Sequence, residues 1–456
     1  MPSPRSSLPA LGFLQQSGCR RLLGKLAVVW LGLGSVGFSQ PFDPVLQNAG
    51  TLWQNTPESI AAWAAPLGFR WGSIQRESAR TTRPDLSLGS IPVIEANLRF
   101  NEQKLSALTL LFYTRGDSGI LSKEAYEKLV RACTEHITSL TRTRAQPRGQ
   151  ESANAVRAEG LVWKTPGALW TLEFSASRIS SPKGTQVLPE FVRLEITPEK
   201  TRKPASAAIR EGAFNPKSKV RKMSSGDVLL ADVPMVDQGD KGYCFPATGE
   251  RVLRYYGVRA DMHELAQLGG SLGGGGTSLS AGLEGLRVAG GRLQFRVRVV
   301  DQPGPRDLDN LLREYNQKVL KYGPKEKIPP LRGVVDVQAL YGSLRPDVFL
   351  AARQAQRVEK SRFLRAIQGA IDAGHPMIWG VLLGLAPEIN TPQTSGGHAR
   401  LIVGYNAKTQ ECLYSDSWGP GHELKRMSFD TAWLIHQFCF LLIPQGIDSP
   451  SLSQDK

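Results

Sequence analysis

The chain has 456 residues, with 56 lysines and arginines against 41 aspartates and glutamates, and a formal charge of +15. Its 41% hydrophobic and 8% aromatic residues supply enough apolar material for folded cores, which excludes a mostly disordered chain. The 46 glycines and 30 prolines show no G-X-Y period, which excludes a collagen-like chain. The length predicts two or three domains.

The N-terminal segment has the pattern of an export signal. Arg20, Arg21 and Lys25 precede an uncharged run over 26–38, which is shorter than the about 20 apolar residues of a membrane span. We therefore predict a signal peptide over 1–39, and its paired arginines resemble a twin-arginine signal. The alternative is an uncleaved N-terminal anchor. No later run reaches membrane length, so we expect a periplasmic or extracellular protein without an integral membrane domain after signal removal.

Residues 40–199 alternate strand and helix patterns and predict a small α+β domain. Apolar and polar residues alternate over 94–100, a second strand follows over 105–113, and Ser122 is suited to cap a helix that buries Cys133. Further strands are predicted over 161–163, 169–174 and 192–196. Because this domain holds no plausible catalytic constellation, three roles stay open: an inhibitory pro-region, a substrate-docking module or a cell-surface anchor. The cleavable linker that follows the domain favours the pro-region.

A basic linker over 200–228 is predicted to separate this domain from a second folded part over 229–445, with a disordered tail over 446–456. The segment 200–222 carries eight basic residues and one acidic residue, and the signal 1–39 carries four basic residues and no acidic one. Most of the positive charge therefore lies outside the folded domains. No nucleic-acid partner is expected, because no basic, aromatic-interleaved surface or binding motif accompanies the charge.

Cys244 follows a glycine-rich segment and begins a helix pattern. At a helix N-terminus the dipole and the free backbone N–H groups favour the thiolate, which is the nucleophilic form of cysteine. Gln238 lies six residues earlier and can direct its amide to the same cleft. His398 begins a strand and Asp416 ends the next one, so a turn between these strands would place a base beside an orienting acceptor.

Three motifs together resemble the papain-like cysteine peptidases: Gln-x5-Cys at a helix start, His-Ala-x3-Val-Gly-Tyr, and Ser-Trp-Gly, in that family's chain order. The resemblance implies that Cys244 is the nucleophile, His398 the base and acid, and Asp416 the orienting group. It also implies an oxyanion hole formed by Gln238 and the backbone N–H of Cys244. Trp418 would shield the His–Asp pair from water.

Cys-x-Pro-Ala-Thr and a later Gly-Gly-Thr resemble the bacteriocin-processing (double-glycine) peptidase-like branch, which uses Cys, His and Asp. The residues expected to bind substrate are Gly275, Gly276, Gly397 and Trp418. Phe245 stands where that branch usually has glycine, and whether its bulky side chain narrows the cleft and alters its specificity stays open. Transport-linked members are fused to membrane transporters, and this chain shows no such region, so leader processing is not carried over.

The expected fold is α+β, with a papain-like domain whose N-terminal helix carries Cys244 and whose antiparallel sheet carries His398 and Asp416. The expected function is an exported cysteine peptidase acting on a peptide or protein substrate. The alternatives are a transglutaminase-like acyltransferase with the same triad and a catalytically silent peptide-binding protein. No cofactor or metal is expected, since no CxxC pair suggests zinc. The oligomeric state stays open, and Cys412 and Cys439 are either buried thiols or a disulfide.

Overall fold

The structure is a computed structural model of a mixed helix and sheet protein. It describes residues 40–148, 155–181, 184–199, 214–239, 242–270, 279–331 and 337–450. The predicted signal peptide and the predicted substrate residues Gly275 and Gly276 lie outside the described residues.

The N-terminal part is built on a long antiparallel sheet. Its strands are β1 (Gln40–Pro41), β2 (Arg70–Trp71), β3 (Ser78–Thr81), β4 (Leu86–Leu88), β5 (Ile91–Pro92), β6 (Glu95–Asn101), β7 (Lys104–Thr114), β8 (Gln146–Pro147), β9 (Glu159–Thr165), β10 (Ala168–Ser181) and β11 (Gly184–Pro198). Its helices are α1 (Asp43–Leu46), α2 (Ala61–Ala64), α3 (Arg115–Ser118) and α4 (Lys123–Thr141), with a 3-10 helix at Ala49–Gln54. The main sheet has the order β2–β3–β6–β7–β11–β10–β9–β8, and β1, β4 and β5 form a small separate sheet.

The sequence patterns explain these elements. The alternation over 94–100 becomes β6, whose Ala96 and Leu98 face the core. Ser122 caps α4, because its Oγ accepts a hydrogen bond from the Ala125 N–H at 3.2 Å. Helix α4 buries Cys133 against the sheet, as its helical periodicity predicted.

The C-terminal part places helices around a second sheet. Its strands are β12 (Val220–Lys222), β13 (Asp227–Leu230), β14 (Phe295–Asp301), β15 (Met377–Leu383), β16 (Gly396–Asn406), β17 (Glu411–Ser415), β18 (Lys425–Ser428) and β19 (His436–Pro444). Its helices are α5 (Cys244–Tyr255), α6 (Met262–Leu268), α7 (Leu279–Leu293), α8 (Pro305–Val319), α9 (Val337–Ser343), α10 (Pro346–Ala355), α11 (Arg357–Asp372) and α12 (Phe429–Ile435). Short 3-10 helices lie at Pro216–Lys219, Leu320–Tyr322 and Pro324–Glu326.

Strand β16 lies inside this sheet, whose order is β12–β13–β16–β15–β19–β14. Its pairings with β13, β15 and β17 are all antiparallel, and β17 continues to β18. Helices α5 and α11 pack against β16. The strand is buried from 398 to 406, so side chains on it are held rigidly by neighbours on both sides.

Two predicted boundaries differ from the structure. The end of the predicted linker 200–228 joins the sheet, because β12 pairs with β13 and β13 pairs with β16. The start of the predicted tail 446–456 is also ordered. Ile447 is buried there, and the Arg298 guanidinium donates a hydrogen bond to the Pro450 carbonyl at 2.5 Å. The buried side chain of Ile447 and the hydrogen bond from Arg298 on β14 therefore extend the fold beyond residue 445, where the sequence predicted its end.

Cys412 and Cys439 are free thiols in the described structure, and both are fully buried. Burial raises the pKa of each thiol, because the apolar surroundings disfavour the thiolate. The sequence left open whether these two cysteines are buried thiols or a disulfide, and the structure shows buried thiols. Separately, none of the helices in the described ranges is both long and apolar enough to cross a membrane.

Candidate active site

Cys244 is the first residue of α5 and is partly exposed. Pro246 is tolerated two positions later because the first turn of a helix needs no N–H donors. Burial alone would raise the pKa of the Cys244 thiol. The nearby imidazole of His398, with backbone N–H groups, outweighs burial and lowers that pKa. The thiol is therefore held in an environment that favours the thiolate.

His398 lies on β16, opposite Val381 of β15. Its Nε2 is 3.1 Å from Oδ1 of Asp416, and neither side chain is exposed to solvent. Because Nε2 contacts Asp416, Nδ1 is the ring nitrogen left for the Cys244 thiol. Burial opposes the imidazolium, but the bond to Asp416 and the interaction with the Cys244 thiol outweigh it and raise the pKa of His398.

Trp418 covers the imidazole. Its ring is stacked on His398 with centroids 4.2 Å apart and planes 12° apart. The His422 ring contacts the Trp418 indole edge-on, with ring centroids 5.5 Å apart. Stacking of this kind fixes the ring plane and excludes water from the hydrogen bond between His398 and Asp416.

Asp416 follows β17 and is held by a buried cation. Nε of Arg400 is 2.9 Å from Oδ1 of Asp416, and Nζ of Lys425 is 3.8 Å from Oδ2. Burial would raise the pKa of this carboxyl group, but Arg400, His398 and Lys425 lower it to about 2. Asp416 is therefore an anion over the whole physiological pH range.

Arg400 is a site residue that the sequence analysis did not single out. It is 0% exposed, donates a hydrogen bond to Glu388 at 3.0 Å and lies over the ring of Tyr414 at 4.5 Å. The sequence does contain a signal for it. Arg400 interrupts the apolar run that follows His398, and an arginine inside a buried strand requires an acidic partner.

Arg251 and Thr248 join α5 to the segment that carries Asp416, and the sequence analysis missed both. The buried Arg251 guanidinium donates to the Asp416 carbonyl at 2.9 Å and to the Pro234 carbonyl at 2.8 Å. Thr248 Oγ1 lies 3.3 Å from Ser417 Oγ. These hydrogen bonds fix helix α5, which carries the Cys244 thiol, relative to the Asp416 carboxylate.

Gln238 is buried in the loop before α5. Its backbone N–H donates to the Ser417 carbonyl at 2.8 Å, which places this loop beside the segment between Asp416 and Trp418. Gly397 lies next to His398 on β16, and its carbonyl accepts a hydrogen bond from Gln393 at 3.1 Å. The structure thus gathers the predicted residues within the described ranges around the N-terminus of α5.

Phe245, whose effect on the cleft the sequence left open, is directed into the core. Its ring lies 5.7 Å from Phe440 of β19, and it also fills the space above Gly282 of α7. A helix turns successive side chains by about 100°, so the residue after the nucleophile points away from it. Its bulk stabilises the contact between α5 and the sheet.

Alkylation of Cys244 should be fast below the ordinary thiol pKa of about 8.5. His398 lowers the pKa of the thiol, so the reactive thiolate persists as the pH falls until the pair accepts a proton. In His398→Ala, burial should raise the pKa of the Cys244 thiol, because the imidazole that lowers it is absent. The iodoacetamide rate at pH 6 should therefore fall by at least about tenfold. The control is His136→Ala, in the N-terminal part; equal rates in the two variants would contradict the prediction.

A comparison with known protein families finds a match in the segment that holds His398 and Asp416. Residues 327–438 match the model of the Peptidase_C39 like family. The matched segment does not include Gln238 and Cys244. The match confirms the resemblance to cysteine peptidases seen in the motifs, and with it the enzyme class: a cysteine-type peptidase, which implies a protein substrate.

A solved structure similar to this chain is xylellain, a cysteine protease from Xylella fastidiosa. The two share 12% sequence identity over 50% of this chain and 88% of that chain, with a TM-score of 0.25. A TM-score this low lies below the range of a shared fold, so the likeness adds nothing to the family match. No curated protein matches the chain.

Proposed function

We propose that this protein is an exported cysteine peptidase that hydrolyses peptide bonds through Cys244, His398 and Asp416. The observation that carries the proposal is the buried imidazole of His398, which bonds to the Asp416 carboxylate while it lowers the pKa of the Cys244 thiol. A nucleophile, its base and an orienting acceptor are thereby arranged in series. The export signal over 1–39 is part of the proposal.

Acylation begins from the Cys244 thiolate and the His398 imidazolium. The thiolate attacks the carbonyl carbon of the substrate, a C–S bond forms, and the electron pair of the C=O bond moves to oxygen. His398 then donates its proton to the leaving amine as the C–N bond breaks. Asp416 keeps the imidazole oriented and stabilises its positive charge through the 3.1 Å bond.

Deacylation reverses the role of His398. The imidazole takes a proton from water, the resulting hydroxide attacks the thioester carbonyl, and the C–S bond breaks to release the carboxylic acid. The stacked ring of Trp418 holds the imidazole in the same orientation for both proton transfers.

The oxyanion of each tetrahedral intermediate requires donors near Cys244. The backbone N–H of Cys244 belongs to the first turn of α5, where N–H groups have no partner within the helix. We assign the Gln238 amide as the second donor, since its loop is bonded to the Ser417 carbonyl beside the His–Asp pair. A donor of this kind is typically worth about 3 kcal/mol of barrier.

The test is inactivation by alkylation, mapped by mass spectrometry. Iodoacetamide at pH 6 should modify Cys244 before the buried thiols, and hydrolysis of a mixed peptide library should disappear in proportion to that modification. Full hydrolysis by protein that is completely alkylated at Cys244 would refute the proposal. Incorporation of an added amine into the acyl group without hydrolysis would favour the acyltransferase instead.

A further inference from the structure

The segment that leads to the nucleophile, residues 236–239 and 242–243, is called the catalytic loop below. The N-terminal domain contacts this loop at Tyr243, the residue immediately before Cys244. Tyr243 is buried, and its hydroxyl lies 3.4 Å from Thr114 Oγ1 at the end of β7. A Cβ atom placed on Gly116 would lie 1.8 Å from the same hydroxyl. The backbone of α3 thus approaches Tyr243 as closely as a glycine allows.

A second contact lies at the other end of the catalytic loop. The guanidinium of Arg80, on β3, lies above Gly239, where an added Cβ would be 2.3 Å from Arg80 Nη1. The same group is 4.0 Å from the Asp237 carboxylate, and Arg80 is itself fixed by Glu95 at 2.8 Å. The N-terminal domain therefore contacts both sides of the segment that contains Gln238.

The interface behind these contacts is charged and partly buried, since Arg259 and Asp261 remain about one-third exposed. Arg193 of β11 is 2.8 Å from Asp261 and also pairs with Glu264 of α6. Arg259 pairs with Glu195 of β11 in the same interface. Separating the domains would remove Arg193 from Glu264 and Glu195 from Arg259, and breaking a buried pair is typically strongly destabilising. The interface therefore has the character of a permanent contact.

We propose that the N-terminal domain is a permanent part of the active site that positions the catalytic loop, and not an inhibitor released by cleavage of the linker. Arg80, Thr114 and the backbone at Gly116 are positioning groups, because they act through Asp237, Gly239 and Tyr243. The inference rests on the proposed function of Cys244. It predicts that loosening these contacts lowers reactivity, whereas an inhibitory domain would raise it.

The first test is Gly116→Ala in the full-length protein. The new methyl group must displace Tyr243 and with it the start of α5. A displacement of about 1 Å can cost up to about 100-fold in rate, so we expect the iodoacetamide rate at pH 6 and kcat for peptide hydrolysis to fall at least about tenfold, with KM little changed. The matched control is Gly342→Ala, where an added Cβ has no neighbour within 4 Å among the described residues.

The second test is Asp237→Asn, which keeps the acceptor for the Gly239 N–H but removes the charge that faces Arg80. It should lower kcat and the iodoacetamide rate at pH 6, without lowering the thermal midpoint by more than a few degrees. Unchanged or faster alkylation in both folded variants would overturn the proposal. Because alkylation needs no peptide substrate, the positioning role can stand or fall independently of the peptidase activity.

Discussion

Replacing Cys244 with alanine is expected to reduce peptide hydrolysis by about 10³-fold or more, because loss of a covalent nucleophile leaves only binding and oxyanion stabilisation. The fold should change little. The thiol is partly exposed at the first residue of α5, and alanine is a good helix former. The measurement is kcat/KM on a peptide selected from a library, alongside the thermal midpoint.

Cys133→Ala is the matched control for that experiment. Cys133 is fully buried in the core of the N-terminal domain, so its removal leaves a small cavity and should cost about 1 kcal/mol of stability. Its hydrolytic activity should be retained. Activity of Cys244→Ala comparable to that of Cys133→Ala would mean that another group performs the chemistry.

Arg400→Met is expected to lower the free energy of unfolding by about 3–5 kcal/mol, since the substitution leaves the buried Asp416 and Glu388 carboxylates without their shared cation. Lys425 stays near Asp416 at 3.8 Å and compensates only in part. Hydrolysis should also fall, because Asp416 loses the group that fixes it beside His398. Urea unfolding at pH 7 measures the first effect.

The dependence of stability on pH separates this mechanism from simple loss of packing. The pKa of Asp416 is lowered to about 2 in the folded protein, below the ordinary aspartate value of about 3.9. Its ionised form therefore contributes stability above about pH 4, and that stability is lost as the pH falls toward 2. In Arg400→Met the folded pKa should rise toward the ordinary value, so the loss of stability between about pH 4 and pH 2 should become smaller.

Arg426→Met provides the control for Arg400→Met. Arg426 pairs with Asp227 and Glu411, but nearly half of its side chain is exposed, and such pairs contribute about 0–1 kcal/mol. Equal unfolding free energies for the two methionine variants would show that Arg400 is not the structural support of Asp416.

The sequence predicted those features that depend on local periodicity and chain order. The alternation over 94–100, the strand pattern over 105–113 and the Ser122 cap each determine an element from its own residues. The placement of Cys244 at a helix start and of His398 at a strand start could also be predicted, because the glycines and the apolar runs beside them are contiguous in sequence.

Features that depend on distant partners could not be predicted in this way. Arg251 contacts the Asp416 carbonyl across 165 residues, and Arg193 meets Glu264 across 71 residues. The residues next to each arginine in the sequence do not indicate its partner. A charged residue becomes buried only when distant elements pack together, so its burial cannot be predicted from local sequence. The direction of Phe245 stayed open for a related reason: a motif position does not define which side of α5 faces the sheet.

The burial of the thiols has a consequence for redox chemistry. Among the cysteines that the structure describes, Cys133, Cys412 and Cys439 are buried and carry a raised pKa, while Cys244 is partly exposed and carries a lowered one. Oxidants attack accessible thiolates first. Oxidation to a sulfenic acid would therefore occur at the nucleophile, and a thiol reductant would restore the enzyme without altering any structural cysteine.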